Sequence, residues 1–188
     1  MSELEVLQTA FARTTALVEE LAPEDLRRPT PCSDWDVRAL LVHIVAANDG
    51  LVAVLHGQEA DWGKDALGDD PAESVRRSLG QALSAWSEAG ALERPSEQMP
   101  GMRVVDFALA DAVVHCWDLA TALGQDPGLD PAHVQLVRDR WEGAPAETGR
   151  TYDVFGPEVP VADDARPADR LAGLLGRDPA FRAQPPLA

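Results

Sequence analysis

Proline placement constrains this chain more than any other feature. All fifteen prolines fall outside four windows, residues 1–22, 32–70, 72–94 and 101–126. A proline inside a helix removes a hydrogen bond, clashes with the preceding turn and costs about 3 kcal/mol. Four long proline-free windows rich in Ala, Leu and Glu therefore predict four helices. The apolar spacing agrees. Leu4, Leu7, Phe11, Thr14, Val18 and Leu21 step by three and four, as do Val75, Leu79, Ala82, Trp86 and Ala89, so each set lines one helix face. The second helix is expected to open at Ser33, with Asp36 as the acid of a shortened capping box. The fourth, about 103–123, is apolar nearly all round, which marks a buried helix, and Gly124 is its natural stop.

Beyond 126 the texture changes. Asp130-Pro131 reads as an N-cap and first helical residue, opening a short helix with Val134, Val137 and Trp141. Residues 143–162 are rich in Pro and Gly, with Val154, Phe155, Val159 and Val161 as extended pieces. A last helix, about 167–175, carries Leu171, Leu174 and Leu175 and stops at Gly176. The expected fold is all-α: an antiparallel four-helix bundle over 1–126, with 127–188 as a short helix and an irregular or extended strap packed on the same domain.

Composition narrows the function. A chain of 188 residues is one domain's worth and can bury a sizeable core. Sixteen Lys plus Arg against 32 Asp plus Glu give a formal net charge of −16. That field repels phosphate backbones and anionic lipid, which argues against nucleic-acid and membrane partners. Two cysteines, Cys32 and Cys116, cannot make a disulfide scaffold. The N-terminal residues carry Glu3, Glu5, Glu19 and Glu20 without an apolar signal core. No uninterrupted apolar run reaches 18 residues. The expected location is the cytoplasm.

The buried fourth helix contains an anomaly. Asp111, His115 and Asp118 step by four and three, so they share one face of a helix otherwise suited to the core. No basic residue lies between Arg103 and Arg138 to neutralise them. An unpaired buried carboxylate costs several kcal/mol, and a divalent cation would relieve it. The second helix offers a partner: His43 lies on the stripe Asp36, Leu40, His43, Ala47, Gly50, Val54. The small Ala47 and Gly50 are expected to leave space beside the imidazole. His43, Asp111 and His115 would then form a metal site between facing helices, with Asp118 orienting a histidine from behind. Other readings stand beside this one. His43 can be an ordinary core histidine, Asp111 and His115 can pair with each other, and Asp118 can be a fourth ligand or an ordinary surface acid. His56 points about 220° away from His43 on a helix, and His133 reads as surface. Cys32 precedes His43 by 11 residues, about 16 Å along a helix axis, so no bridge to Cys116 is expected, and Cys116 reads as core.

The run Thr30-Pro-Cys-Ser-Asp-Trp-Asp-Val-Arg-Ala-Leu-Leu-Val-His43 resembles the second-helix signature of the DinB-like superfamily. The nearer likeness is to its actinobacterial branch, the mycothiol-dependent maleylpyruvate isomerase N-terminal-domain type. Asp111-Ala-Val-Val-His115-Cys-Trp-Asp118-Leu-Ala resembles that branch's acid-x-x-x-His-x-x-Asp-Leu motif. Phe155-Gly-Pro-Glu-Val-Pro-Val and Asp169-Arg-Leu-Ala-Gly-Leu-Leu-Gly-Arg-Asp178 resemble the tail of a subgroup called metal-binding proteins. The resemblance implies a DinB-type four-helix bundle holding a divalent metal on His43, Asp111 and His115. This chain departs in having Asp111 where the isomerase type usually has Glu. The stretch after 143 is too short for the isomerases' second domain, so maleylpyruvate isomerisation itself is not expected.

The metal expected is zinc, with nickel or iron as alternatives. Three protein ligands leave coordination positions open, as in catalytic zinc sites. Zinc holds a thiol as its nucleophilic thiolate. The expected function is a metal-dependent transferase using a low-molecular-weight thiol, mycothiol by the resemblance, against a small electrophile. Two rivals remain open: a non-haem iron enzyme on the same ligands, and a non-catalytic metal-binding or interaction protein, with which the acidic surface and five tryptophans agree. Oligomeric state is open, a homodimer being one option.

Overall fold

A computed structural model describes residues 2–186 apart from Ser33, Gln98, Tyr152, Asp153 and the side chain of Ala144. The described residues form seven α-helices, one 3₁₀ turn and no strand. The bundle helices are α1 (Glu3–Glu19), α2 (Val37–Leu55), α3 (Pro71–Trp86) and α4 (Val104–Ala122). α1 and α2 each pack on both α3 and α4. Contacts near the helix ends give the directions. Glu3 meets Arg103 at one end of α1 and α4, and Arg13 and Glu20 reach Gln125 at the other, so these two run parallel. Just past their ends, α2 and α3 are tied by Arg94 to the Leu55 carbonyl and by His56 to Glu88, and they too run parallel. Arg76 near the start of α3 pairs with Glu19 at the end of α1. Thus α1 is antiparallel to α3, and α2 to α4. The segment 56–70 carries the chain back along the bundle between its two parallel helices.

Local chemistry sets the helix ends. Ser2 and Glu5 form a capping box on α1. α2 opens at Val37, later than expected, with the Asp36 carboxylate accepting from the Ala39 N–H at 2.8 Å. The expected cap Ser33 lies outside the described residues. The reason for the late start is a tight loop. Thr30 N–H donates to the Trp35 carbonyl at 3.1 Å and Val37 N–H to the Arg28 carbonyl at 2.9 Å, so residues 29–36 fold back on themselves. α3 ends at Trp86, one step short of Ala89, the last residue of its expected stripe.

α4 is buried along most of its length, as its all-round apolarity requires. α2 is long and apolar enough to cross a membrane, but it is a core helix with Leu40, Leu41 and Val45 fully buried in the bundle.

The C-terminal part adds α5 (Pro131–Trp141), α6 (Ala144–Thr151) and α7 (Pro167–Leu174). Asp130 caps α5 by accepting from the Ala132 N–H. Helix α6 corrects the expectation of irregular chain there. Its Pro145 sits in the first turn, where the missing N–H costs nothing. Gly149 gives Phe155 room to stack edge-on against Trp141 at 4.8 Å; a Cβ there would fall 2.7 Å from the ring. Val159 and Val161 do not make a strand. Instead the Val159 N–H donates to the Gly173 carbonyl at 3.0 Å, binding the strap along α7. α7 ends in a Schellman motif: Arg177 N–H reaches the Ala172 carbonyl and Gly176 N–H the Gly173 carbonyl. Gly176 has φ +86°, and a Cβ on it would lie 2.7 Å from the Gly156 Cα. Both the turn and the crossing demand glycine. α5 and α7 pack on each other and on α4.

Candidate metal centre

His43 sits in the first half of α2, and Asp111 and His115 lie one turn apart on α4. The antiparallel α2–α4 packing brings the three together. Asp111 Oδ1 lies 3.1 Å from His43 Nε2 and 3.1 Å from His115 Nε2. The two imidazole rings meet edge-on at 4.7 Å. Their donor atoms all lie within 4.8 Å of one another, a spread compatible with one cation. Trp35 covers the pair, its ring 4.6 Å from that of His43 and 6.0 Å from that of His115.

The far side of His115 is equally organised. Its Nδ1 lies 2.9 Å from Asp118 Oδ2, on a side chain with no exposed surface. With that nitrogen donating to a carboxylate, neutral His115 presents a lone pair at Nε2. That lone pair faces the Asp111 carboxylate, which also only accepts. Two acceptors at 3.1 Å require a proton or a cation between them. The titration tendencies express the same conflict. Burial opposes charge on His115, but Asp111 and its hydrogen bonds prevail and hold the imidazole well above its usual range. Burial likewise opposes charge on Asp111, and the two histidines still keep its carboxyl far below the usual range. Two nitrogens and a carboxylate oxygen converging where a positive charge is required fit a divalent ion of the zinc type.

Some expectations need correction. The space foreseen over Gly50 is filled: a Cβ there would fall 2.6 Å from the Trp62 ring, so glycine admits that indole. Cys32 is not a helix-length away. Because residues 29–36 fold back, its thiol donates to Asp118 Oδ2 at 3.3 Å and joins His115 and Asp118 in a second cluster able to hold a metal. Cys32 and Cys116 are both free, as expected. Burial pushes the Cys116 thiol up to about 11. The neutralising base that the α4 sequence lacks comes from the strap: Arg177 Nε lies 3.4 Å from Asp118 Oδ2. Nothing in the local spacing pointed to Arg177. Trp35 and Cys32 carried a signal only as letters of the Thr30–His43 run. His56 pairs with Glu88 at 3.4 Å, away from the site. His133 is half-buried on α5.

On the inner side, Phe11, Thr14, Asn48, Asp111 and His115 border a void of about 10 Å³. That is room for about one water. On the opposite side the His43 imidazole is 33 % exposed and Asp111 20 %.

Comparison with known proteins agrees with this architecture. Two curated relatives, named uncharacterized protein MT0763 and uncharacterized protein Rv0738 and both from Mycobacterium tuberculosis strains, are each 30 % identical over 183 residues. The alignments cover 90 % of this chain and 93 % of each relative. No solved structure matches. The family model described as the mycothiol maleylpyruvate isomerase N-terminal domain matches residues 7–120, a span that contains His43, Asp111, His115 and Asp118, and the chain belongs to that family.

Proposed function

We propose that this protein is a cytoplasmic, metal-dependent transferase that uses a low-molecular-weight thiol of the mycothiol type against a small electrophile. His43, Asp111 and His115 hold the metal, zinc foremost, and Asp118 fixes the His115 ring from behind. The reading rests on one observation: two Nε2 atoms converge on one carboxylate oxygen at 3.1 Å each, with the His115 ring held by Asp118 at Nδ1 so that its Nε2 faces Asp111. Family membership supports the thiol. A bound zinc ion would supply a Lewis acid that keeps the thiol deprotonated at neutral pH. The chain's own contribution is to orient the donors and to limit the space below them to about one water. The inner void is too small for a substrate, so the thiol must enter past His43 and Trp35.

Metal analysis of His43→Ala and His115→Ala after dialysis tests the ligands. Both should lose stoichiometric metal, and retention by either one sinks the assignment. Turnover of a thiol with a generic electrophile tests the chemistry. Wild type should exceed His115→Ala, and equal rates would leave a metal-binding protein without this activity. The donor set also matches non-haem iron sites, so an iron requirement with activity lost in air would redirect the reading to oxidative chemistry.

A further inference from the structure

We propose that Arg177, on the strap beyond the matched domain, is a positioning residue of the metal centre, acting through Asp118 on His115. This rests on the metal reading above. Asp118 Oδ2 is a hub. It receives the His115 ring N–H at 2.9 Å, the Cys32 thiol at 3.3 Å, and Arg177 Nε and Nη2 at 3.4 Å each. Arg177 Nη2 also touches Cys32 Sγ at 3.3 Å. The guanidinium therefore clamps the carboxylate and the thiol together. Its side chain is only 11 % exposed, so it is committed to this contact.

The charges give the clamp its role. Asp118 is fully buried, and its other oxygen, Oδ1, has no hydrogen-bond partner among the described residues. An isolated carboxylate in that position would be costly and free to rotate. Arg177 supplies the balancing charge and removes the rotation, leaving Oδ2 fixed toward His115 Nδ1. The ring is then held with Nε2 directed at Asp111. Groups that orient a metal-ligating histidine through its second nitrogen affect metal affinity although they never touch the ion. The same guanidinium would compete with a cation at the Cys32–His115–Asp118 cluster, because its positive charge already lies against the thiol and the carboxylate.

The strap is built to deliver this side chain. The Schellman turn at Gly176 reverses the chain directly before Arg177, and the Gly156–Gly176 crossing pins that turn. Arg177 Nη1 further donates to the Leu175 carbonyl at 2.7 Å, which fixes the guanidinium.

The test compares full-length wild type, Arg177→Gln, Arg177→Lys, Arg182→Ala and His115→Ala. Zinc affinity is read by chelator competition, the visible spectrum of the cobalt(II)-loaded protein reports ligand geometry, and the apo melting temperature reports the strap. Arg177→Gln should bind zinc about 10–100-fold more weakly and shift the cobalt bands. Arg177→Lys, which keeps the charge, should recover much of the affinity. Arg182→Ala, an exposed change on the same strap, should match wild type. Unchanged affinity and spectrum in Arg177→Gln would overturn the inference alone, provided His115→Ala loses metal. So would Arg177→Lys falling as far as Arg177→Gln in step with melting temperature, since the strap would then be merely structural. If His115→Ala binds zinc like wild type, the metal reading falls and this inference falls with it.

Discussion

Asp111 and Asp118 sit on one helix face, and their surroundings assign them different tasks. Asp111 is partly exposed and faces two imidazoles, whereas Asp118 is sealed and holds one imidazole from the rear. Lengthening Asp111 to Glu restores the acid usual in the resemblance but moves the oxygen outward by one methylene. Asp111→Glu should therefore still bind zinc, with a changed cobalt spectrum, while Asp111→Ala should lose the metal; equal affinity for all three proteins would show that this carboxylate is not a ligand. Away from the site, Leu109 has no exposed surface and lies in the main core cluster. Leu109→Ala should lower stability by about 2–5 kcal/mol, measured by denaturant unfolding. The residues legible in the sequence were those on regular helices, where spacing fixes direction. Residues in the irregular segments, Cys32 and Arg177, were not, because no periodicity says where a loop side chain points. A charge deficit on α4 showed that a neutralising partner was needed, but not that the strap supplies it.

At the scale of elements, α2 and α7 show how ends decide positions. The Asp36 cap starts α2 and also anchors the loop that carries Cys32 to the bundle. Asp36→Ala should cost about 0.5–2 kcal/mol in denaturant unfolding. Gly176→Ala meets both an unfavourable φ and the Gly156 backbone. It should loosen the strap, seen as faster amide exchange over 167–177, while exchange in α1 stays unchanged; uniform exchange would show that the crossing does not pin the turn. Proline placement disclosed the four bundle helices because a proline inside any of them would break it. It concealed α6, since a helix tolerates proline in its first turn and glycine where a neighbouring ring needs space. The late start of α2 was hidden for a related reason: a proline-free window permits a helix but does not require one, and the bonds of 29–36 run across the loop.

For the whole molecule, charge is the main variable. With a net charge of −16, self-repulsion opposes the compact state. Moving from low salt to about 0.15 M, where the screening length is about 8 Å, should raise the melting temperature; a fall would mean that attractive pairs dominate. One such set lies where α1, α4 and α5 meet: Arg103 and Arg140 both contact Glu3 and Asp106. Hydrogen bonding to the backbone at the helix start, then Arg103 and Arg140, holds the Glu3 carboxyl below its usual range despite partial burial. A carboxyl depressed in the folded state stabilises above its unfolded pKa, and that contribution disappears as pH falls through the folded value. Glu3→Gln should therefore reduce stability at neutral pH and flatten its decline between about pH 5 and 3, followed by thermal melts across that range.

The ties at Asp118 carry a consequence for how the chain assembles. They join residues 86 and 59 positions apart in the sequence, whereas each helix needs only neighbours. Closing such long loops costs entropy before any contact repays it, so distant pairings form slowly relative to local ones. The individual helices can form with the back of His115 still unbraced, and the brace closes together with the long-range packing of the bundle, which spans separations as great. A refolding experiment that follows metal capture alongside helix content should see the helices return first and the ion bind only when the strap arrives.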